Sequence, residues 1–309
     1  MRIGITTSIA TAIAVGVLIA SGGGGASCAG AAVYSPGSPD GTGTCWPGPA
    51  NTGVPAGTSL TAYAGPCTIT TPNTTIDSKT VNCDMSIEAA NFLIKNSRVT
   101  GQVILDTDLP GASGWSMTIQ DTEIDAGTVQ TSAAGFGNMT VRRANLHGGQ
   151  NAAQCEAPTT TCDIQDSYLW GQYIPDNANW HLDGFITDGM MNLVVKHNYI
   201  VCDHAVNNIA EGCTASLALI PNFAAIDGAQ IEHNLFGANV GQSYCTYGGE
   251  KASSPTPNSF NVHYINNVFK RGTNNLCGAF GPVTDFAIGN AGNQWSGNIF
   301  EDGVTIPAP

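Results

Sequence analysis

A six-residue phrase returns along the chain: apolar, any, polar, small or Asn, any, apolar. It reads Ile94-Lys-Asn-Ser-Arg-Val99, Ile119-Gln-Asp-Thr-Glu-Ile124, Val141-Arg-Arg-Ala-Asn-Leu146 and Ile164-Gln-Asp-Ser-Tyr-Leu169, then Val195-Lys-His-Asn-Tyr-Ile200, Ile231-Glu-His-Asn-Leu-Phe236, Tyr264-Ile-Asn-Asn-Val-Phe269 and Trp295-Ser-Gly-Asn-Ile-Phe300. Successive phrases begin 25, 22, 23, 31, 36, 33 and 31 residues apart. A period of that size is one turn of a solenoid with loops that lengthen along the chain. The alternation inside each phrase has period two and no i, i+3, i+4 stripe, which predicts strands. One strand per coil, stacked in register, predicts an all-β, single-stranded right-handed parallel β-helix of about 8–10 coils, with Val, Ile, Leu and Phe in interior stacks. Asn198, Asn234, Asn267 and Asn298 then share one position, and their amides can bond in a ladder. A β-sandwich is the alternative, but the Asn-Gly and Asp-Gly hairpin turns it needs are scarce.

The repeat predicts one helix over residues 61–309, preceded by an N-terminal extension over 31–60. The first thirty residues read as an export segment: Arg2 is the one early positive charge, Ile9 to Ala20 is apolar, and small residues continue through Ser27. Ala26-Ser27-Cys28 resembles the end of a lipoprotein signal, although Gly25 stands where Leu is usual. Secretion, a lipid anchor on Cys28 and an uncleaved segment remain the alternatives. The expected location is secreted or extracytoplasmic, with no transmembrane helix in the mature protein.

Ten cysteines in an exported chain read as disulfides. Neighbouring pairs suggest Cys67 with Cys83, Cys155 with Cys162, Cys202 with Cys213 and Cys245 with Cys277, leaving Cys28 with Cys45. No CxxC pair or His/Cys cluster has the spacing of zinc ligands. A net charge of −13 with only 10 Lys and Arg excludes a nucleic-acid partner. Thirty-eight glycines and 11% charged residues fit short strands and many turns.

The chain resembles the pectin-lyase-like right-handed β-helix superfamily, in particular secreted bacterial parallel-β-helix-repeat proteins, from about Cys45 to Gly303. Three stretches carry the resemblance: Asn51-Thr-Gly-Val-Pro-Ala-Gly-Thr58, Cys67-Thr-Ile69 through Thr75-Ile-Asp77, and His181-Leu-Asp-Gly-Phe185 followed by Asn192-Leu-Val-Val-Lys-His-Asn198. It implies a polysaccharide lying along one exterior sheet, with catalytic side chains projecting from neighbouring coils. The polygalacturonase pattern is missing, since there is no Asp-Asp pair and no Gly-His-Gly followed by Arg-x-Lys. A pectate-lyase Arg-centred signature is missing too.

The second residue of each phrase is expected to point outward, placing Lys95, Gln120, Arg142, Gln165, Lys196 and Glu232 in one stripe that is either a substrate surface or an ordinary solvated face. Alternation puts His181 and Asp183 on one side of an extended segment, about 7 Å apart. That pair can supply a general base or acid, although Asp-Gly is also a common turn. His147 and His204 follow strands and can line the same groove, with Trp170, Tyr173 and Trp180 as the aromatic set nearest His181, there to stack on sugar rings or simply to pack.

Lyase chemistry on a uronic acid needs a base and a cation, here Lys196, Arg142 or His181, or calcium held by Asp183, Asp188 and Asp203 without a motif of specific spacing. Hydrolysis needs two carboxylates roughly 5–10 Å apart, and Asp183 has no evident second. The expectation is a monomeric, secreted, carbohydrate-active protein, a polysaccharide lyase or related glycoside hydrolase; the alternative is a non-catalytic glycan- or cell-wall-binding β-helix. No cofactor is specified, calcium being the candidate.

Overall fold

The computed structural model describes Cys28 and residues 34–156 and 160–309. The export segment therefore lies outside the described residues, apart from Cys28. Each coil contributes one short strand to each of three sheets, starting with Thr61–Ala62, Thr68–Ile69 and Thr75–Asp77. Sheet 1 has ten strands and ends at Ile299–Phe300; sheet 2 has nine and ends at Gly281–Thr284; sheet 3 has nine and ends at Gln294–Ser296. All pairings within the sheets are parallel, for example Ile124 beside Leu146 in sheet 1 and Val141 beside Ile164 in sheet 3. The chain is a right-handed parallel β-helix of nine full coils and one closing strand. Among the described residues the one helical element is a single 3-10 turn, Ala112–Gly114, and no helix is long and apolar enough to cross a membrane.

In-register stacking turns one apolar position per coil into a continuous column. Ile94, Ile119, Val141, Ile164, Val195 and Ile231 form one such column inside sheet 3. Val99, Ile124, Leu146, Leu169, Ile200, Phe236, Phe269 and Phe300 form another inside sheet 1. These side chains are buried. At about 1.5–3 kcal/mol for each large apolar side chain, the columns are the main favourable term in folding.

The six-residue phrase is not one strand, as its alternation suggests. Its first two residues end a strand of sheet 3, its last two begin a strand of sheet 1, and the chain bends between them. The third residue takes the bend in the left-handed conformation: Asn96, Asp121, Arg143, Asp166, His197, His233 and Asn266 have φ between 47° and 55°, and Gly297 takes the same place at 67°. The fourth residue points inward and satisfies the backbone of the bend. Ser167, Asn198, Asn234, Asn267 and Asn298 each accept a hydrogen bond from the backbone N–H of the coil before, or of its equivalent ladder residue. The predicted Asn ladder is present: Asn198 Nδ2 donates to Asn234 Oδ1 at 3.1 Å, Asn234 to Asn267 at 3.1 Å and Asn267 to Asn298 at 3.0 Å.

Disulfides join Cys67 to Cys83, Cys155 to Cys162, Cys202 to Cys213, Cys245 to Cys277 and Cys28 to Cys45. They suit an oxidising compartment. The Cys28–Cys45 bond and a thioether-linked lipid on the same sulfur exclude one another, which counts against the lipid-anchor alternative in this state of the chain.

Candidate functional site

The outer face of sheet 3 carries the predicted stripe. Strand register sets Asp77 beside Lys95, Lys95 beside Gln120, Gln120 beside Arg142, Arg142 beside Gln165, Gln165 beside Lys196 and Lys196 beside Glu232. At about 4.8 Å per strand this row of seven polar side chains runs roughly 29 Å along the helix axis. Its cations have partners of their own. Lys95 lies 3.2 Å from Asp77, Arg142 pairs with Asp163, and Lys196 lies 3.6 Å from Glu232. The two lysine pairs are the more exposed and contribute about 0–1 kcal/mol each, so an incoming carboxylate or hydroxyl can displace them at small cost, whereas Arg142 is held more firmly, its Nη1 also donating to the Val141 and Asp163 carbonyls.

Directly beside this row runs the column of left-handed corner residues. Non-glycine residues in that conformation cost about 1–2 kcal/mol, least for Asn, Asp and His and more for a residue such as Arg143. Strain of this kind concentrates where side chains have work to do. Arg143 makes a two-pronged contact with Asp121, at 2.7 and 2.8 Å, and His197 Nδ1 lies 2.7 Å from Asp166 Oδ1.

The segment before the first strand crosses this corner as a strap. Trp46, fully buried, packs on the outward apolar row of sheet 1 formed by Tyr199, Leu235 and Val268. Farther along, the backbone N–H of Gly53 donates to Arg143 O at 2.9 Å. Gly53 sits at φ +74°, where a Cβ would stand 3.1 Å from Asn145, so glycine allows both the turn and the close approach. Between strap and corner lies a cleft of about 1050 Å³, lined by Thr44, Asn51 and Thr52 on one side and by Asp121, Arg143, Asp166 and His197 on the other.

His181 and Asp183 are not brought together. The strand begins at Leu182, and its register against the next coil shifts between Leu182 and Asp183, which breaks the alternation on which the pairing was expected. His181 is exposed, with Thr214 Oγ1 3.3 Å from its Nδ1. Asp183 points into the helix interior and is 1% exposed. Its Oδ1 accepts from the Ala215 N–H at 3.0 Å, and its Oδ2 has no hydrogen-bond partner.

Burial, reinforced by the charge of Asp188, pushes the Asp183 carboxyl well above the usual carboxylate range, against the bond from Ala215. A group raised in the folded state carries no penalty below its unfolded pKa of about 3.9, and the penalty grows as pH climbs from there toward the folded value. Asp183→Asn cannot ionise, so it is expected to raise the Tm at pH 7, by about 2–4 °C per kcal/mol relieved, and to leave it nearly unchanged at pH 3. A Tm gain of the same size at both pH values would contradict this account.

The remaining candidates are dispersed. His147 lies on sheet 1, its Nε2 3.4 Å from Glu123, and its ring is 5.2 Å from Trp170, which donates to Asn145 Oδ1. Tyr173 meets His204 edge-on at 6.2 Å, and Trp180 packs on the small cluster of Ile174, Leu182, Cys202 and Cys213. The expected calcium acids do not converge. Asp188 bonds Asn222, Asp203 Oδ1 accepts from the Gly171 N–H, and Asp183 is interior. Among the described residues the one group of three or more potential metal ligands is Asp40, His197 and His233.

Sequence reasoning passed over these three, as well as Asp166 and Arg143. All but Asp40 stand at the third place of a repeated phrase, so a polar residue required by the bend also doubles as a site residue. Compared with protein-family models, with curated proteins and with solved structures, the chain matches none of them.

Proposed function

We propose that this chain is an extracytoplasmic, carbohydrate-active β-helix that binds an extended polysaccharide along the outer wall of sheet 3, beside the strapped cleft. The observation that supports this reading is the unbroken polar row from Asp77 to Glu232. Amide, ammonium and guanidinium groups recur there at a constant step, as a polymer with a regular repeat of hydroxyls or carboxylates requires, and Arg can take a carboxylate with two parallel hydrogen bonds. Its three cations, each beside one carboxylate, make the row locally neutral on a chain of charge −13, so an acidic glycan meets less repulsion there than elsewhere. The same polar wall fits the pectin-lyase-like resemblance.

Cleavage is the second reading, and Lys196 favours it. Its side chain is 50% exposed and held only at 3.6 Å from Glu232, two strands from Arg142, so a base that removes the proton beside a uronic carboxylate and a cation that neutralises the carboxylate share one row.

Retention on immobilised acidic and neutral polysaccharides tests binding. Lys196→Ala and Arg142→Ala are each expected to weaken retention on an acidic glycan about tenfold, the effect of losing one charge-assisted hydrogen bond, while Lys79→Ala on sheet 1 leaves it unchanged. Ultraviolet absorbance from unsaturated ends indicates a lyase, new saturated reducing ends a hydrolase, and neither indicates binding alone. Retention on no glycan, or retention insensitive to both row variants, overturns the proposal.

A further inference from the structure

We propose that Asp40, His197 and His233 form a binding site for a divalent transition-metal ion of the zinc type, pinning the N-terminal strap to the corners of two successive coils. The proposal stands independently of the polysaccharide reading. His233 Nε2 lies 3.1 Å and His197 Nε2 3.3 Å from Asp40 Oδ2, and the three donor atoms all lie within 4.8 Å of one another. Around an ion with bonds of about 2.0–2.1 Å, tetrahedral ligand atoms sit roughly 3.3 Å apart. The two carboxylate–imidazole spacings match that value, and the two imidazole nitrogens lie within 4.8 Å of each other.

Electrostatics around His197 indicate what belongs at that point. Its Nδ1 lies 2.7 Å from Asp166 Oδ1, so in the neutral ring the proton sits on Nδ1 and Nε2 presents a lone pair. That lone pair faces the Asp40 carboxylate, an arrangement that is repulsive unless positive charge lies between them. A neutral His233 can carry its own proton on Nε2 and donate to Asp40, so the unmatched lone pair is that of His197, whose ring stacks 5.3 Å from that of His233. A single divalent ion would neutralise the carboxylate and take a lone pair from each imidazole, sharing Asp40 Oδ2 with the Thr42 and Thr44 hydroxyls that already bond it.

The carboxylate is prepared as an anion. Its side chain is wholly buried, and four donors hold it: the N–H groups of Thr42 and Thr44 on Oδ1, at 2.8 and 3.1 Å, and their hydroxyls on Oδ2, at 2.6 and 2.7 Å. Trp46 stacks against both imidazoles, at 5.5 and 4.9 Å between centroids, and fixes their planes. Asp166 on the far nitrogen of His197 completes a carboxylate–histidine–metal relay, the usual support for a metal-bound imidazole.

Two imidazoles and one carboxylate favour zinc, cobalt or nickel over calcium or magnesium, which take oxygen ligands. Three protein ligands leave a fourth position. Thr44 Oγ1, 3.4 Å from His197 Nε2, stands beside it, and both residues line the cleft, so water or a ligand hydroxyl can reach the ion from there.

The test uses the full chain stripped with a chelator. Isothermal titration with Zn²⁺ is expected to show one site, Co²⁺ to give the visible absorption of a tetrahedral N/O centre, and Ca²⁺ to compete with neither. No thiol competes, because all ten cysteines are in disulfides. His197→Ala and His233→Ala are each expected to weaken Zn²⁺ binding at least 100-fold. Asp166→Asn, a positioning change, is expected to weaken it about 10- to 100-fold while keeping one site and the Co²⁺ spectrum.

Equal Tm values for variants and parent in chelator establish that the variants are folded. If a histidine variant does not fold, Asp166→Asn together with anomalous scattering from Zn²⁺-soaked crystals of the parent decides the matter, by the ion's presence or absence between the three side chains. Zn²⁺ binding that needs millimolar metal, that survives both histidine changes, or that Ca²⁺ displaces would overturn the proposal.

Discussion

Asn234→Ala is expected to destabilise the helix by about 3–5 kcal/mol. Asn234 Oδ1 accepts from the backbone N–H of Asn198 at 3.0 Å and from its Nδ2 at 3.1 Å, while Asn234 Nδ2 donates to Val195 O at 2.8 Å and to Asn267 Oδ1 at 3.1 Å. Alanine leaves the Asn198 N–H and the Val195 carbonyl buried at the bend without these partners, and each such group costs about 1–3 kcal/mol. A Tm lower by roughly 6–20 °C should follow. Asn234→Thr should lose less, because Thr122 and Ser167 hold the same place in earlier coils and their hydroxyls accept the corresponding N–H. If alanine and threonine cost the same small amount, the ladder is not what holds the bend.

Trp46→Ala is expected to release the strap while the coils stay intact. The indole is fully buried on Tyr199, Leu235 and Val268 and against two imidazoles, and truncating a buried Trp costs about 3–5 kcal/mol. That cost falls on one local structure. Hydrogen exchange should therefore quicken by about 100- to 1000-fold at the amides of Gly37, Asp40 and Trp46, which bond within the strap, and by no more than about tenfold at Asn198 and Asn234 in the ladder. Equal acceleration everywhere would show that strap and coils unfold as one.

How much of this was legible in the sequence depended on whether the information was local. Interior columns and the outward row repeat within each phrase, so counting from Ile94 or Val195 places Lys95 and Lys196 correctly. Cysteine pairing followed the same logic, because partners lie 7 to 32 residues apart on the same or adjacent coils. The bend inside the phrase was hidden, since a left-handed Asn or His looks like any polar strand residue until φ is known. His181 and Asp183 misled because alternation holds only where the register does, and the register shifts at Leu182. The Asp40 cluster lay beyond sequence reasoning of this kind: Asp40 and His233 are 193 residues apart, and no spacing rule spans that distance.

A stack of coils in which each touches only its neighbours behaves as a one-dimensional chain of nearly independent links, free to open from either end. A splint along the outside changes that arithmetic. By gripping Arg143 at one point and His197, His233 and Val268 farther on, the segment ahead of the first strand makes the middle links share one fate, so fraying of the outer turns should halt at the splinted block.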